Sequence, residues 1–250
     1  MSTASILAGD IPPLTRPESL AIAATEYERY LELLRSLPPD AWDKETECVP
    51  WTVRDMASHV LGAAEFTASI REALHQTRTA ARRDLNQVDA INAVQIDERA
   101  MLSADQILKR LDAASAASIR ARRRMPALVR RIGFTADLWY GPERWTLAFL
   151  MDVIYTRDTW MHRIDTSRCT GSSLALTPEH DGRIVANLVA DWAGRHKSAF
   201  DLTLMGPAGG RYRSGDSGSE RLELDAVEFC RHLSGRGTRP EGLLGTLTPF

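Results

Sequence analysis

Apolar residues recur with helical spacing through most of the chain and alternate with polar ones only towards its end. Pro17 occupies a position that the first turn of a helix tolerates. From there Leu20, Ala24, Tyr27, Leu31 and Leu34 share one helical face in "ESLAIAATEYERYLELLRSL". The stretch "PPDAWDKETECVPW" breaks that pattern. Thr52 and Asp55 then form a capping box with aspartate in place of glutamate, which opens a second helix predicted to run to about Arg78. A third apolar series follows at Leu85, Val88, Ile91, Val94 and Ile96, and "SADQ" at 103–106 caps a fourth helix ending near Arg124. Beyond a loop containing Gly133, Gly141 and Pro142, a long helix is predicted from about Trp145 to Arg168, with Gly171 as its left-handed stop.

The pattern changes after residue 172. "TPEHDGRIVANLVADWAGRH" is helical, "AFDLTLMG" alternates as a strand does, "PAGG" is a turn, "RYRSG" and "ERLELD" read as two further strands, and "DAVEFCRHLSG" closes with a helix. Helices first and a small mixed unit second define an α+β protein of two domains. Residues 1–16 read as a flexible N-terminus, 17–172 as a helical domain and 173–250 as a small α/β domain.

One helix is odd. In "RDTWMHRID" (157–165), acids, arginines and a histidine interrupt an otherwise core-facing apolar run. At about 3.6 residues per turn, Tyr155, Asp158, His162 and Asp165 fall on one polar stripe, while Ile154, Met161 and Ile164 point elsewhere. On the second helix His59 is followed one turn later by Gly62 and Ala63, whose small side chains leave room for an inward ring. Two readings of these residues stay open. In one, His59, Asp158 and His162 converge on a divalent cation, with Asp165 accepting the second ring N–H of His162. In the other, Arg157 and Arg163 tie the acids into a salt-bridge network and His59 is a satisfied core histidine. His75, His180, His196 and His232 read as solvated.

Composition narrows the classes. The 250 residues carry 31 basic and 33 acidic side chains, a formal net charge of −2. That leaves no electrostatic footprint for nucleic acid. The basic run "RARRRM" (120–125) reads as a solvated helix face. Cys48, Cys169 and Cys230 are odd in number and lack CxxC spacing, which argues against a disulfide framework and a cysteine-only zinc site. Cys48 reads as a buried structural cysteine. No apolar stretch is long enough for a membrane span, "MSTASILAGDIPPLTRPESL" lacks the features of a signal peptide, and a reducing cytoplasm is the expected location.

Three stretches, in order, resemble one family. "CVPWTVRDMASHVLGAAEF" and "RDTWMHRIDTSRCTG" are similar to the two signatures of the DinB-like, mycothiol-dependent maleylpyruvate isomerases. "LELDAVEFCRHLSGR" is similar to their small sterol-carrier-like C-terminal domain. The resemblance spans about residues 18–250 and implies a metal-binding four-helix bundle followed by a small α/β domain. It further implies that His59, Asp158 and His162 hold a divalent metal, with zinc first among candidates that include nickel, iron and manganese, and that Arg236 in "LSGRG" is the catalytic arginine near the pocket. Asp158 departs from the family's glutamate by one methylene, which shortens its reach.

The activity so implied is a metal-dependent, mycothiol-dependent isomerase or S-transferase acting on a small electrophilic metabolite. Its partners would be that substrate and the low-molecular-weight thiol, with neither nucleic acid nor membrane. A non-catalytic small-molecule-binding protein of the same fold and a thiol-independent metal hydrolase are the competing readings. DNA repair, suggested only by the DinB name, is opposed by the charge balance.

Overall fold

The structure, a computed structural model, describes residues 4–215, 220–238 and 240–250. In chain order it contains strand β1 (Ile6–Leu7), then helices α1 (Arg16–Ser36), α2 (Val53–Ala68), α3 (Ile70–Ala80), α4 (Gln87–Asp97) and α5 (Ala104–Arg124). The single-turn α6 (Ala127–Arg130), strands β2 (Gly133–Leu138) and β3 (Gly141–Thr146) and the short α7 (Leu147–Phe149) follow. A π-helical turn over Leu150–Ile154 leads into α8 (Tyr155–Thr170). Helix α9 (Asp181–His196), strands β4 (Phe200–Met205), β5 (Gly210–Ser214) and β6 (Glu220–Asp225) and helix α10 (Ala226–Leu233) complete the chain. These elements gather into two compact units, residues 15–173 and residues 174–250 together with 1–14.

In the first unit the long helices make a four-membered ring. Helix α1 packs on α5 and α8, and α2 packs on the same two, so α1 and α2 stand opposite each other. Tyr30, Leu34, Val53, Leu61, Ile107 and Leu111 fill the space between them. Helices α3 and α4 cover the outer side of α2. The caps follow from sequence: Thr52 with Asp55 and Ser103 with Gln106 close reciprocal boxes, and Thr15 with Glu18 does the same for α1. Gly171 ends α8 at φ 73°, left-handed geometry that costs glycine least.

The structure departs from the sequence reading in four places here. The second helix breaks at Ser69, whose extended backbone (φ −142°, ψ 120°) caps a separate α3 through Glu72 N–H. The loop at 133–146 is an antiparallel hairpin, and Trp145 belongs to β3, so the last long helix starts after it. Residues expected as a flexible lead-in include β1, which pairs in parallel with β5. Gly62 does not open space beside His59: a Cβ there would lie 2.5 Å from Gln95 Cβ, so glycine serves the close approach of α4 to α2.

The second unit is a four-stranded sheet in the order β1-β5-β4-β6, with the β4–β5 pair antiparallel and β6 parallel to β4. Phe200, Leu202 and Leu204 of β4 point alternately inward, and Trp192 of α9 packs against Phe200 and Phe229 at ring centroid distances of 4.8 and 5.2 Å. His196 packs on Trp192 at 4.3 Å, and His180 is buried, so neither is simply solvated. No helix among the described residues is long and apolar enough to cross a membrane.

Gly62 and Gly194 differ in what an added methyl group would meet. Gly62→Ala should destabilise the protein, because overpacking at Gln95 costs about 1–3 kcal/mol and exceeds the helix-propensity gain. Gly194→Ala in α9 meets nothing within 4 Å and should gain up to about 1 kcal/mol. Urea denaturation of both variants checks the opposite signs.

Candidate metal centre

Two helices supply the centre. The Thr52 cap fixes the start of α2 and places His59 inward, 5% exposed. Helix α8 follows the π-helical turn, a feature that often marks functional sites. It presents Asp158 and His162 from one face. His59 Nε2 lies 3.2 Å from Asp158 Oδ2, and His162 Nε2 lies 3.2 Å from Asp158 Oδ1. The two rings stand nearly perpendicular, with centroids 5.0 Å apart. One donor atom from each of the three residues lies within 4.8 Å of the others.

These separations fit a shared divalent ion. Two donors each about 2.1 Å from one cation, at angles between octahedral and tetrahedral, sit roughly 3.0–3.4 Å apart. Both imidazoles turn Nε2 towards the same carboxylate, while Nδ1 of His162 lies 3.3 Å from Asp165 Oδ2. That leaves Nε2 of His162 as the available ligand atom and gives it the carboxylate support usual for metal-binding histidines. The salt-bridge alternative drew on Arg157 and Arg163. Of these, Arg163 pairs with Glu26 of α1, at 2.6 Å and 3.2 Å, inside the bundle.

Without a cation the triad is strongly polarised. Burial alone would raise the Asp158 carboxyl, but the imidazoles of His162 and then His59 outweigh it and hold it far below the usual carboxylate range. Burial likewise opposes charge on His162, yet the charge of the Asp158 carboxylate, the hydrogen bonds that the ring donates to Asp158 and Asp165, and the contact with Cys48 raise its pKa well above the ordinary value. Asp158 keeps 19% of its side chain exposed, which leaves the centre approachable.

Two neighbours were not assigned to the site from sequence. Trp51, one residue before the α2 cap and half-buried, covers both histidines, its ring 5.1 Å from His59 and 6.0 Å from His162. Cys48, expected to be buried, is half-buried, and its Sγ–H donates to Asp165 Oδ2 at 3.6 Å. A turn in which Trp51 N–H donates to Cys48 O at 2.8 Å holds both residues at the α2 entrance. The only local signal was their place in "CVPWT". Arg236 belongs to the other unit, on the turn after α10, where its N–H donates to Arg231 O at 2.9 Å. Its catalytic role rests on resemblance alone.

The chain is a helical-bundle protein with an inward two-histidine, one-aspartate triad whose donor atoms could hold a metal ion. Residues 23–167 match the family described as the mycothiol maleylpyruvate isomerase N-terminal domain, and the chain belongs to that family. Two solved structures are similar across 90% of each chain: a mycothiol-dependent maleylpyruvate isomerase, at TM-score 0.59, and a histidine-to-alanine mutant of such an isomerase, at 0.58. Both are 17% identical in sequence, a level at which the likeness concerns the fold. No curated protein is similar enough to match.

The polarised triad predicts a titration. In metal-free protein, NMR should find the His162 ring titrating above its ordinary value of 6.5. In Asp158→Asn it should fall by roughly a unit or more, and an unchanged value would contradict the assignment. The sign for stability follows. The contribution of His162 is complete below pH 6.5 and lost as pH rises through its folded value, whereas that of Asp158 is complete above 3.8 and lost as pH falls.

Proposed function

We propose that this protein is a divalent-metal-dependent enzyme that uses a low-molecular-weight thiol, mycothiol in the first instance, to isomerise or S-transfer to a small electrophilic metabolite. The observation that carries the reading is the approach of His59 and His162, from two helices, to the two oxygens of Asp158 at 3.2 Å each. Family membership supports the thiol and the isomerase chemistry. Zinc suits two imidazoles and one carboxylate; nickel, iron and manganese suit them too.

The chain's own residues have definable parts in this chemistry. His59, Asp158 and His162 would hold the ion. When bound, a divalent ion of this kind keeps a thiol in its thiolate form and polarises a substrate carbonyl. Asp165 accepts from Nδ1–H of His162 and so fixes the ring and its tautomer. Trp51 keeps bulk water from the outer face of both rings. The reaction needs no redox step. Thiolate sulfur adds to a carbonyl-activated double bond, the bond order drops to one, and the substrate rotates. Expulsion of the sulfur restores the double bond in the other geometry, whereas retention of the sulfur, with protonation of the adjacent carbon, gives the S-transferase outcome.

His59→Ala and His162→Ala should each abolish stoichiometric metal binding and thiol-dependent turnover. Asp165→Asn should weaken metal affinity by roughly 10- to 100-fold. Elemental analysis of untagged protein and isomerisation assays with and without thiol check both. Full metal content and activity in His162→Ala would sink the proposal. Turnover without thiol would favour the hydrolase, and a co-purifying ligand without metal the binding protein.

A further inference from the structure

The run "RARRRM" at the end of α5 divides in the structure. Arg120, Arg123 and Arg124 are exposed, as a solvated face requires, but Arg122 is buried at 1% exposure and turns into the bundle. Its guanidinium has little to hold. Nε and Nη1 have no hydrogen-bond partner, and Nη2 reaches only the Thr156 hydroxyl of α8 at 3.5 Å. Asp152, the carboxylate whose charge acts most on it, is already engaged by both terminal nitrogens of Arg130, at 3.1 Å in one contact and closer in the other. Burial therefore pushes the Arg122 pKa down, though a guanidinium stays charged. Tyr27 and Tyr155, the other groups whose titration it feels, cannot balance it. Burial drives both phenols upward in pKa, so they stand there as neutral hydroxyls.

A buried cation without a counter-charge is among the costliest features a core can carry. The Arg122 guanidinium has no ion pair of its own and stands among the neutral polar groups of Thr156, Tyr27 and Tyr155. That matches a single carboxylate better than a phosphate dianion. The place is also suggestive. Going round α8 at about 100° per residue, Thr156, Thr159, Tyr155, His162 and Asp158 follow one another on a continuous arc. The buried Tyr27 of α1 lies in the same interval, near enough to Arg122 and Asp158 for both charges to act on its phenol. Thr156 and Asp158, the two ends of the arc, are separated by roughly 3 Å along the helix axis and by about 160° around it. Tyr155 and Asp158 are only partly buried, so the arc opens towards solvent at the metal end.

We propose that Arg122 is a carboxylate-binding residue, the seat of an anionic group of the substrate whose reactive part lies at the His59–Asp158–His162 centre. This deepens the functional reading above and rests on it for the identity of the centre. Anion binding at Arg122 itself needs no metal.

The test uses maleate, a small dicarboxylate, as the probe. Thermal shift and calorimetry would compare wild type, Arg122→Met and Arg122→Lys as purified and after chelation, with metal content measured separately. Wild type should be stabilised by maleate but not by chloride of equal ionic strength. Arg122→Met should keep its metal, lose maleate affinity by roughly 10- to 100-fold, and melt at or above the wild-type temperature without ligand, because an uncompensated charge has been removed. Arg122→Lys should retain part of the maleate effect, and the Arg122-dependent part should survive chelation. The proposal is overturned by equal maleate binding in Arg122→Met, by no maleate effect in wild type, or by a ligand-free Arg122→Met that melts well below wild type or fails to fold. Wild type that purifies without metal and takes up none when it is supplied, yet binds maleate through Arg122, would count against the enzyme reading alone.

Discussion

The contact on which the site depends is one aspartate shared by two imidazoles. Asp158 offers one oxygen to His59 and the other to His162, and those rings come from helices that meet only because the bundle brings α2 against α8. In the absence of a cation the arrangement stores a proton on His162 and a charge on Asp158. A divalent ion needs neutral imidazole, so occupancy competes with that proton. The geometry is that of a closed hydrogen-bonded triad, and its use as a ligand set would require that proton to leave.

Helix α8 can present such a face because it is buried nearly all round. A helix in that position is ordinarily apolar. Here its polar groups are matched from neighbouring helices: Arg163 by Glu26 of α1, Thr166 by Met56 of α2 and Thr156 by Arg122 of α5. Elsewhere in the bundle Thr67 of α2 meets Ser118 of α5 at 2.5 Å. A buried ion pair contributes little net stability, since desolvation offsets most of the attraction, but it penalises any packing that separates its members. Glu26 and Arg163 thus fix the rotation of α8 about its axis, and that rotation decides where Asp158 and His162 point.

Much of this was legible in the chain because caps and periodicity are local. Thr52 with Asp55, Ser103 with Gln106, and Gly171 mark ends that the structure keeps. That Asp158 and His162 lie on one face was legible for the same reason, since i and i+4 on a helix are neighbours. What escaped was set by tertiary contact. Ser69 splits one apolar series into two helices, although "SIRE" is itself a capping pattern. The β2–β3 hairpin hides in "FTADLWYGPERWT", where aromatic residues obscure the alternation. Strand β1 is two residues long and exposed, so only its pairing with β5 reveals it. Arg122 was indistinguishable from its basic neighbours, because burial of one residue in a charged run depends on which way the helix faces.

The short acid at position 158 can be weighed in the same terms. Replacing glutamate by aspartate withdraws the carboxylate towards its own helix, and a ligand set tolerates that only if the partner helix is close enough to follow. His59 of α2 reaches the carboxylate of α8 at 3.2 Å, so the separation of the two helices suits the shorter side chain. A carboxylate held nearer α8 also leaves more of the space beside it to whatever approaches from solvent, and Asp158 is the most exposed of the three residues. The aspartate thus leaves the three donor atoms within 4.8 Å of one another, a spacing that a shared cation would need.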